Sequence, residues 1–445
     1  MKRTNWSLVL VFFMLYLPSQ VWGFAHYTRV IGYNAGAMGR GGTSIAIADE
    51  PSNVNFNPAL ISETESNALD VNLLLIFPQF DFTYTGTDNK RYTATDKDRM
   101  AMGPGVSYAH KNKNSPWSWG LAFSAPDAIT TDYTIQSKHF DSVNMYSEIM
   151  HLRFGPIVAY QLTPKLSMGI RFFVDYSSVD FRTPLGLVCM DLGQADGYGV
   201  SGGVGLLYKP SEDLNFGFYY ESSTLLQDLE TRSADSYLKL YDPGSSTTKT
   251  YSNMVAKVNN LQFPQNFGIG VAYRLLPSLR LSADVRYFNW KKDWKEMEVE
   301  YSGMGSGYMA ADGIPTSIKL PFNVDNQTIF GLGLEYSLSE MSALSVGYCY
   351  GDDATGANYL FPITPATMEH TVTAGLSFLP AKHVRLGISF LYGFFNDPKA
   401  SSLHGYDRSL ERQMGLPPGS INSELSGSEV DYTVYNIQLS ATIFW

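Results

Sequence analysis

The stretch "YNIQLSATIFW", residues 435–445, alternates from Tyr435 to Ile443 and ends on Phe444 and Trp445. Tyr435, Ile437, Leu439, Ala441, Ile443 and Trp445 fall on one parity, and Asn436, Gln438, Ser440 and Thr442 on the other. A period of two places these sets on opposite faces of a β-strand. One face is apolar and ends in a large aromatic ring, with no polar tail after it. The other carries small polar side chains. A strand with lipid on one side and a polar lumen on the other has this pattern.

The opposite end supports an exported chain. Lys2 and Arg3 precede "LVLVFFMLYL" (8–17), then Pro18 and "VWG". Ten apolar residues are too few to span a bilayer, which takes roughly 20 in a helix. Residues 1–23 read as a signal peptide cleaved near Gly23. No cysteine follows that site, so a lipid-anchored form is not expected. No later run reaches helical spanning length. Charged residues make up 17% of the chain, below the usual share of about a quarter. Acidic residues outnumber basic ones, 42 to 32, with no basic block, which excludes nucleic acid as an expected partner. Tyr, Phe and Gly are abundant. Cys189 and Cys349 allow a single bridge or two free thiols, the latter preferred.

Fourteen segments carry the alternation: 68–84, 99–110, 117–125, 149–160, 165–181, 197–208, 213–222, 263–274, 278–290, 325–336, 341–351, 368–379, 383–394 and 430–445. Every second connection is short, such as "LTP" (162–164), "KPSE" (209–212) and "PAKH" (380–383). The others are long, the longest being 223–262, 291–324 and 395–429. This rhythm predicts an all-β fold, a 14-stranded antiparallel transmembrane β-barrel over residues 67–445. On the strands that return to the short-turn side, the last apolar-face residues are Tyr108, Tyr160, Tyr208, Tyr273, Tyr336, Phe378 and Trp445. All are aromatic, as an interfacial girdle requires. The opposite parity is small and polar: Ser167, Gly169, Arg171 and Asp175 in one strand, Ser282, Asp284 and Arg286 in another.

Residues 24–66 do not alternate. A lumen this wide leaves room for a plug. The stretch "GAMGRGGTSIAIADEPSNVNFNPALIS" (36–62) resembles the N-terminal hatch of the FadL family of outer-membrane transporters for hydrophobic compounds. The matching residues are Gly39, Arg40, Gly41, Gly42, Asp49, Asn57, Pro58 and Ala59. "APDAITTDY" (125–133), "FPQNFGIGVAYRLLPSLRLSADVRYFNW" (263–290) and "LFPITPATMEHTVTAGLSF" (360–378) also resemble family segments. The sequence departs from the family at Asp127 and Ala128, where an aromatic and Gly are usual, and at Glu369 and His370, where an acidic residue and Arg are usual.

The resemblance implies passive uptake across the outer membrane of a Gram-negative bacterium. Outer loops capture a hydrophobic molecule slowed by lipopolysaccharide, the hatch shifts, and the molecule leaves sideways through the barrel wall. Long-chain fatty acids are the first reading of the ligand, and aromatic hydrocarbons the alternative. An open diffusion porin would need no plug of this kind. Expected ligand contacts are Phe24, Ile31 and Tyr33 from the hatch, with the lumen-facing Arg153, Arg171 and Arg286. A salt-bridge network of these arginines with Asp175, Asp284 and Glu335 is the competing reading, because charges within a membrane protein normally pair. Asn57 and Pro58 are expected to fix a turn. Pro126 cannot donate to a sheet ladder, so the wall opening is placed near Gly120, Ala122 and Pro126, in a strand (117–125) expected to be among the shortest.

No nucleophile motif, metal-ligand spacing or phosphate loop occurs, so no enzyme, metal or cofactor is expected. The terminal aromatic resembles the signal read by the barrel assembly machinery. The resemblance favours a monomer.

Overall fold

The computed structural model describes residues 28–445, apart from 65–66, 87, 98–99, 112–114, 357, 362–363, 365–367, 395–398 and 422–424. The expected signal peptide and the candidate contact Phe24 lie outside the described residues.

Alternation along the chain becomes antiparallel pairing. The first strands are β1 (Ala68–Thr85), β2 (Arg91–Thr95), β3 (Ala101–Lys111), β4 (Trp117–Ser137), β5 (Asp141–Thr163) and β6 (Leu166–Leu185). Then come β7 (Val188–Asp191), β8 (Ala195–Tyr208), β9 (Leu214–Glu221), β10 (Leu225–Leu226), β11 (Leu229–Thr231), β12 (Ser236–Asp242) and β13 (Thr247–Asn259). The next are β14 (Asn266–Leu276), β15 (Leu279–Phe288), β16 (Glu296–Gly303), β17 (Ser317–Pro321) and β18 (Gln327–Ser339). The last are β19 (Ser342–Gly351), β20 (His370–Ala381), β21 (Val384–Phe394), β22 (Lys399–Ser401) and β23 (Ser428–Phe444). Pairing runs β1–β3–β4–β5–β6–β8–β9–β14–β15–β18–β19–β20–β21–β23. The circuit closes where β23 returns to β1, from Ala68↔Phe444 to Thr83↔Glu429. Closure pairs the strands around the ring, as a bilayer requires, except where residues 101–105 of β3 pair with β1 alone.

The expectation of fourteen strands in all is corrected: among the described residues the sheet contains twenty-three, of which the closed circuit passes through fourteen. Alternation detects only strands with one apolar and one polar face. Strands β2, β7, β10, β11, β12, β13, β16, β17 and β22 lie in the connections read as loops. β16 and β17 alternate but are only 8 and 5 residues long within a long connection. β7, by contrast, is buried on both faces and the first residues of β13 are exposed on both, so alternation is lost there. β4 differs from expectation for the same reason. It extends for 21 residues, because alternation ends near 124 while the strand does not. From 124 to 133 both of its faces are covered.

Outside the ring, Val71, Phe154, Ile170, Phe172, Ile269, Leu332 and Ile443 are exposed. Inside it, Asp70, Arg153, Arg171, Asp175, Asp284, Arg286, Asn436 and Gln438 are buried. At the short-turn end Tyr108 stacks on Trp445 at 6.0 Å, and Tyr160 packs on Trp117 at 4.7 Å.

Residues 28–64 fill the lumen from within. Helix α1 (Ala35–Gly39) is capped by Asn34, whose side-chain oxygen accepts from the Ala37 amide at 2.7 Å. Two 3₁₀ turns follow, Pro51–Asn55 and Pro58–Glu63, each opened by a proline whose missing N–H costs nothing there. Gly41 and Gly42 adopt left-handed φ of 66° and 81°. A side chain on Gly347 of the wall would meet the Gly41 amide nitrogen at 2.0 Å, so backbone lies directly against backbone. Three more helices, α2 (Trp290–Asp293), α3 (Met304–Ala311) and α4 (His404–Gln413), lie in the long connections.

Candidate functional site

Three features meet in the lumen: a gap in the wall, a buried charge network and an apolar cavity. The gap arises at β4. β3 and β4 pair only from Val106↔Phe123 to Lys111↔Ser118. Beyond Phe123, β4 bulges, with a register shift against β5 between Ser124 and Asp127. A bulge bends its strand and ends local pairing. Residues 101–105 of β3 therefore pair with β1 alone. Further along, contact resumes where the Lys97 amide donates to the Asp132 carbonyl at 3.1 Å.

The edge of β4 that faces the gap is taken by the N-terminal segment. Arg29 and Asp127 form a β-bridge. The Val30 amide donates to the Pro126 carbonyl, and the Ala128 amide to the Thr28 carbonyl, both at 3.0 Å. A recess of about 20 Å³ lies here, bordered by Val30, Tyr33, Gly103, Pro104, Gly105, Ser124 and Ala125. Pro126 thus borders the gap, whereas Gly120 and Ala122 do not. A side chain on Gly120 would meet the Tyr108 carbonyl at 2.1 Å and Ile61 at 2.6 Å, and Ala122 is packed with Val54 and Ile61 beneath the N-terminal segment. The signal missed in the sequence is "GPG" at 103–105. Proline inside a strand marks an unpaired edge.

The charge network centres on Glu221. Arg153 reaches it at 2.7 Å, Arg171 at 2.5 Å and Arg29 at 3.3 Å. Arg153 also donates to the Tyr33 hydroxyl and the Asn55 carbonyl, each at 3.0 Å. Arg171 donates to the carbonyls of Val54, Asn55 and Phe56. Arg286 donates to the carbonyls of Ile31 and Gly42, with its guanidinium 4.8 Å from the Phe56 ring. The three candidate arginines therefore bind the N-terminal segment to the wall. Their expected acidic partners are engaged elsewhere. Asp175 holds His151, Asp284 accepts the Ser44 and Ile45 amides, and Glu335 pairs with Arg40 and Arg280. Glu221 was absent from the expected set, although it shares the inward parity of Gly217 and Tyr219 in β9.

The hatch-motif residues hold the segment in place. Arg40 is fully buried between Glu50 at 2.9 Å and Glu335 at 2.6 Å. Asp49 pairs with Arg280 at the short-turn end. Burial alone pushes the Asp49 and Glu50 carboxyls up, but the neighbouring arginines more than reverse this and hold both below their ordinary values. The Asn57 amide nitrogen donates to the carbonyls of Ile45 and Leu206, and its oxygen caps the Ala59 amide at 3.0 Å. Pro58 opens that turn and Ala59 packs on Leu207. Gly39 faces Ser345 and Gly375. Ile31 is buried, and Tyr33 packs on Phe56 at 4.8 Å.

The apolar cavity lies at the long-connection end and is closely packed, with a volume of about 20 Å³. Ile149, Val179 and Phe181 line it from the wall, and Leu261, Trp294, Met297, Leu320, Phe322, Phe361 and Tyr406 from the connections. Among its described lining residues the one charged group is an acid, Asp180. Trp294 packs against Phe322 at 5.7 Å, and Phe361 stacks on Tyr406 of α4 at 4.9 Å. Cys189 and Cys349 are not joined in a disulfide and are buried on β7 and β19.

The arrangement places a closely packed apolar cavity among the long connections and a gap in the wall between β3 and β4. The family model described as "Outer membrane protein transport protein (OMPP1/FadL/TodX)" matches residues 28–414. Solved structures share the fold. The Ralstonia pickettii toluene transporter TbuX aligns with a TM-score of 0.69 at 17% identity, covering 93% of this chain and 98% of that one. The Pseudomonas putida toluene transporter TodX aligns at 0.73 and 17%, covering 95% and 100%. A Pseudomonas aeruginosa FadL homologue aligns at 0.71 and 13%, covering 94% and 100%. No curated protein matches the sequence.

Proposed function

Because the chain belongs to the OMPP1/FadL/TodX family of outer-membrane transport proteins, we propose that it takes up small neutral hydrophobic molecules of the monoaromatic-hydrocarbon class. It is an outer-membrane transporter of hydrophobic compounds and not an enzyme. The finer reading rests on one observation. The cavity is apolar with an acid at its margin, while Arg29, Arg153, Arg171 and Arg286 are all engaged by Glu221, Asp127 or backbone carbonyls. A fatty-acid carboxylate buried there would lack a cation, and burying an unpaired charge is costly. A neutral solute incurs no such cost.

In this reading the long connections face lipopolysaccharide and admit the solute. The N-terminal segment acts as the hatch over residues 24–66, and the solute leaves into the bilayer between β3 and β4. The solute path is complete within one chain. Uptake of radiolabelled toluene and of oleate by intact cells, with and without the protein, tests it. Toluene entry should depend on the protein, and oleate should compete poorly. Protein-dependent oleate uptake that toluene does not compete with would overturn the assignment.

A further inference from the structure

We infer that His151 is a positioning residue that couples the apolar cavity to the wall gap, so that a hydrophobic molecule entering the cavity loosens residues 28–30 from β4. The inference rests on the transport reading above. The contacts form one continuous chain. Trp294 lines the cavity, and its ring centroid lies 6.3 Å from that of Phe263. Phe263 stacks on the His151 imidazole, centroids 4.2 Å apart and planes within 11°. Each imidazole nitrogen meets a carboxylate: Nδ1 lies 2.9 Å from Asp127 and Nε2 2.7 Å from Asp175.

Asp127 is the shared element. Its second oxygen accepts from the Thr28 hydroxyl at 3.0 Å and pairs with Arg29 at 3.1 Å. The same carboxylate therefore holds the imidazole and the segment that covers the gap edge of β4.

The geometry allows movement at one place. Phe263 is pinned through its backbone: its amide donates to the Thr224 hydroxyl at 2.7 Å, and its carbonyl accepts from the Thr224 amide at 3.0 Å. A solute displacing Trp294 can therefore shift the Phe263 ring but not its chain. An imidazole held at both nitrogens cannot follow that ring without losing alignment to one carboxylate. Residues 28–30 touch β4 through two backbone hydrogen bonds and through Thr28 and Arg29 on Asp127, so the loss of Asp127 alignment loosens the side-chain half of that contact, while Arg29 keeps Glu221. The rest of the segment is fixed separately by Arg40, Asn57 and the Arg171 contacts. Detachment of three residues is thus the local opening that the contacts permit.

Maleimide labelling of a Val30→Cys thiol tests this, in a Cys189→Ser/Cys349→Ser background with toluene as the probe. Toluene should accelerate labelling roughly five-fold or more, the lower end of ordinary coupling between sites. Adding Phe263→Ala or His151→Gln should abolish the acceleration while toluene still binds, and Phe263→Tyr should retain it. If Phe263→Ala does not fold, Phe263→Leu replaces it. Acceleration that survives both Phe263→Ala and His151→Gln overturns the coupling, as does toluene binding without acceleration in the parent. Failure of the parent to bind toluene overturns the transport reading, and the coupling with it.

Discussion

Arg153 on β5 and Glu221 on β9 meet at 2.7 Å across the lumen, with β6 and β8 between them in the wall. Arg171 and Arg29 converge on the same carboxylate. Removing it leaves three buried guanidinium groups short of a partner. Losing one member of a buried ion pair costs about 3–5 kcal/mol, so Glu221→Gln should unfold at distinctly lower urea concentration in detergent. An unchanged midpoint would mean that the backbone carbonyls alone satisfy the arginines.

The same substitution changes selectivity. With Glu221 neutral, Arg29, Arg153 and Arg171 become a site for an anion. Glu221→Gln should therefore bind oleate more tightly than the parent, measured by calorimetry on purified protein, with toluene binding little altered. Equal oleate affinity in both proteins would show that arginine engagement does not exclude carboxylates.

The position of the gap separates two glycines. A side chain on Gly105 would have no atom closer than 3.6 Å, whereas one on Gly120 would meet a carbonyl at 2.1 Å. Gly105→Leu should fold normally and lower toluene uptake by filling the recess. Gly120→Leu should instead destabilise the protein, since overpacking costs about 1–3 kcal/mol. Normal uptake by a folded Gly105→Leu variant would remove the gap from the transport path.

These two positions also mark how far the sequence could be read. The girdle from Tyr108 to Trp445 and the inward parity of Arg153, Arg171 and Arg286 were legible, because lipid on one side and a lumen on the other enforce a period of two. That rule lapses where both faces of a strand are covered. β7 and residues 126–133 of β4 were therefore read as loop; of the residues expected at the opening, Pro126 borders the gap between β3 and β4 while Gly120 and Ala122 lie toward the short-turn end. Pairings across the lumen leave no periodic trace either. Glu221 lies 50 residues or more from each of its arginines, and nothing local links Phe263 to His151.

Close backbone packing gives a test of the hatch itself. Gly347 lies against Gly41, and Gly333 faces the Arg40 carbonyl at 2.6 Å from where a side chain would begin. Gly347→Leu points a bulky group into the hatch without touching the outward apolar band. The segment should be displaced, raising single-channel conductance in planar bilayers and admitting polar solutes the parent excludes. A parent-like closed trace from a correctly folded variant would argue that the wall, rather than the hatch, yields.

Acid should release the hatch at its short-turn anchor. Asp49 meets Arg280 there, and the Asp49 carbonyl accepts from Arg385 at 2.8 Å; Glu50 meets Arg40 at 2.9 Å. Both carboxyls are held below their ordinary values of 3.8 and 4.5. A carboxyl lowered on folding adds stability that is complete above its unfolded value and is lost as pH falls through the lowered one. The anchor is therefore intact above about pH 5 and weakens progressively below about pH 4. Protonation removes the charge that holds Arg280 and Arg40, and Arg40 is then left buried beside Glu335 alone. Proteolysis of the N-terminal segment in purified protein should accelerate from pH 5 to pH 3, using a protease active across that range. The doubly substituted Asp49→Asn/Glu50→Gln protein should already be cut quickly at pH 7, with little further change on acidification. Equal pH dependence in both proteins would place the acid-sensitive contact elsewhere in the lumen.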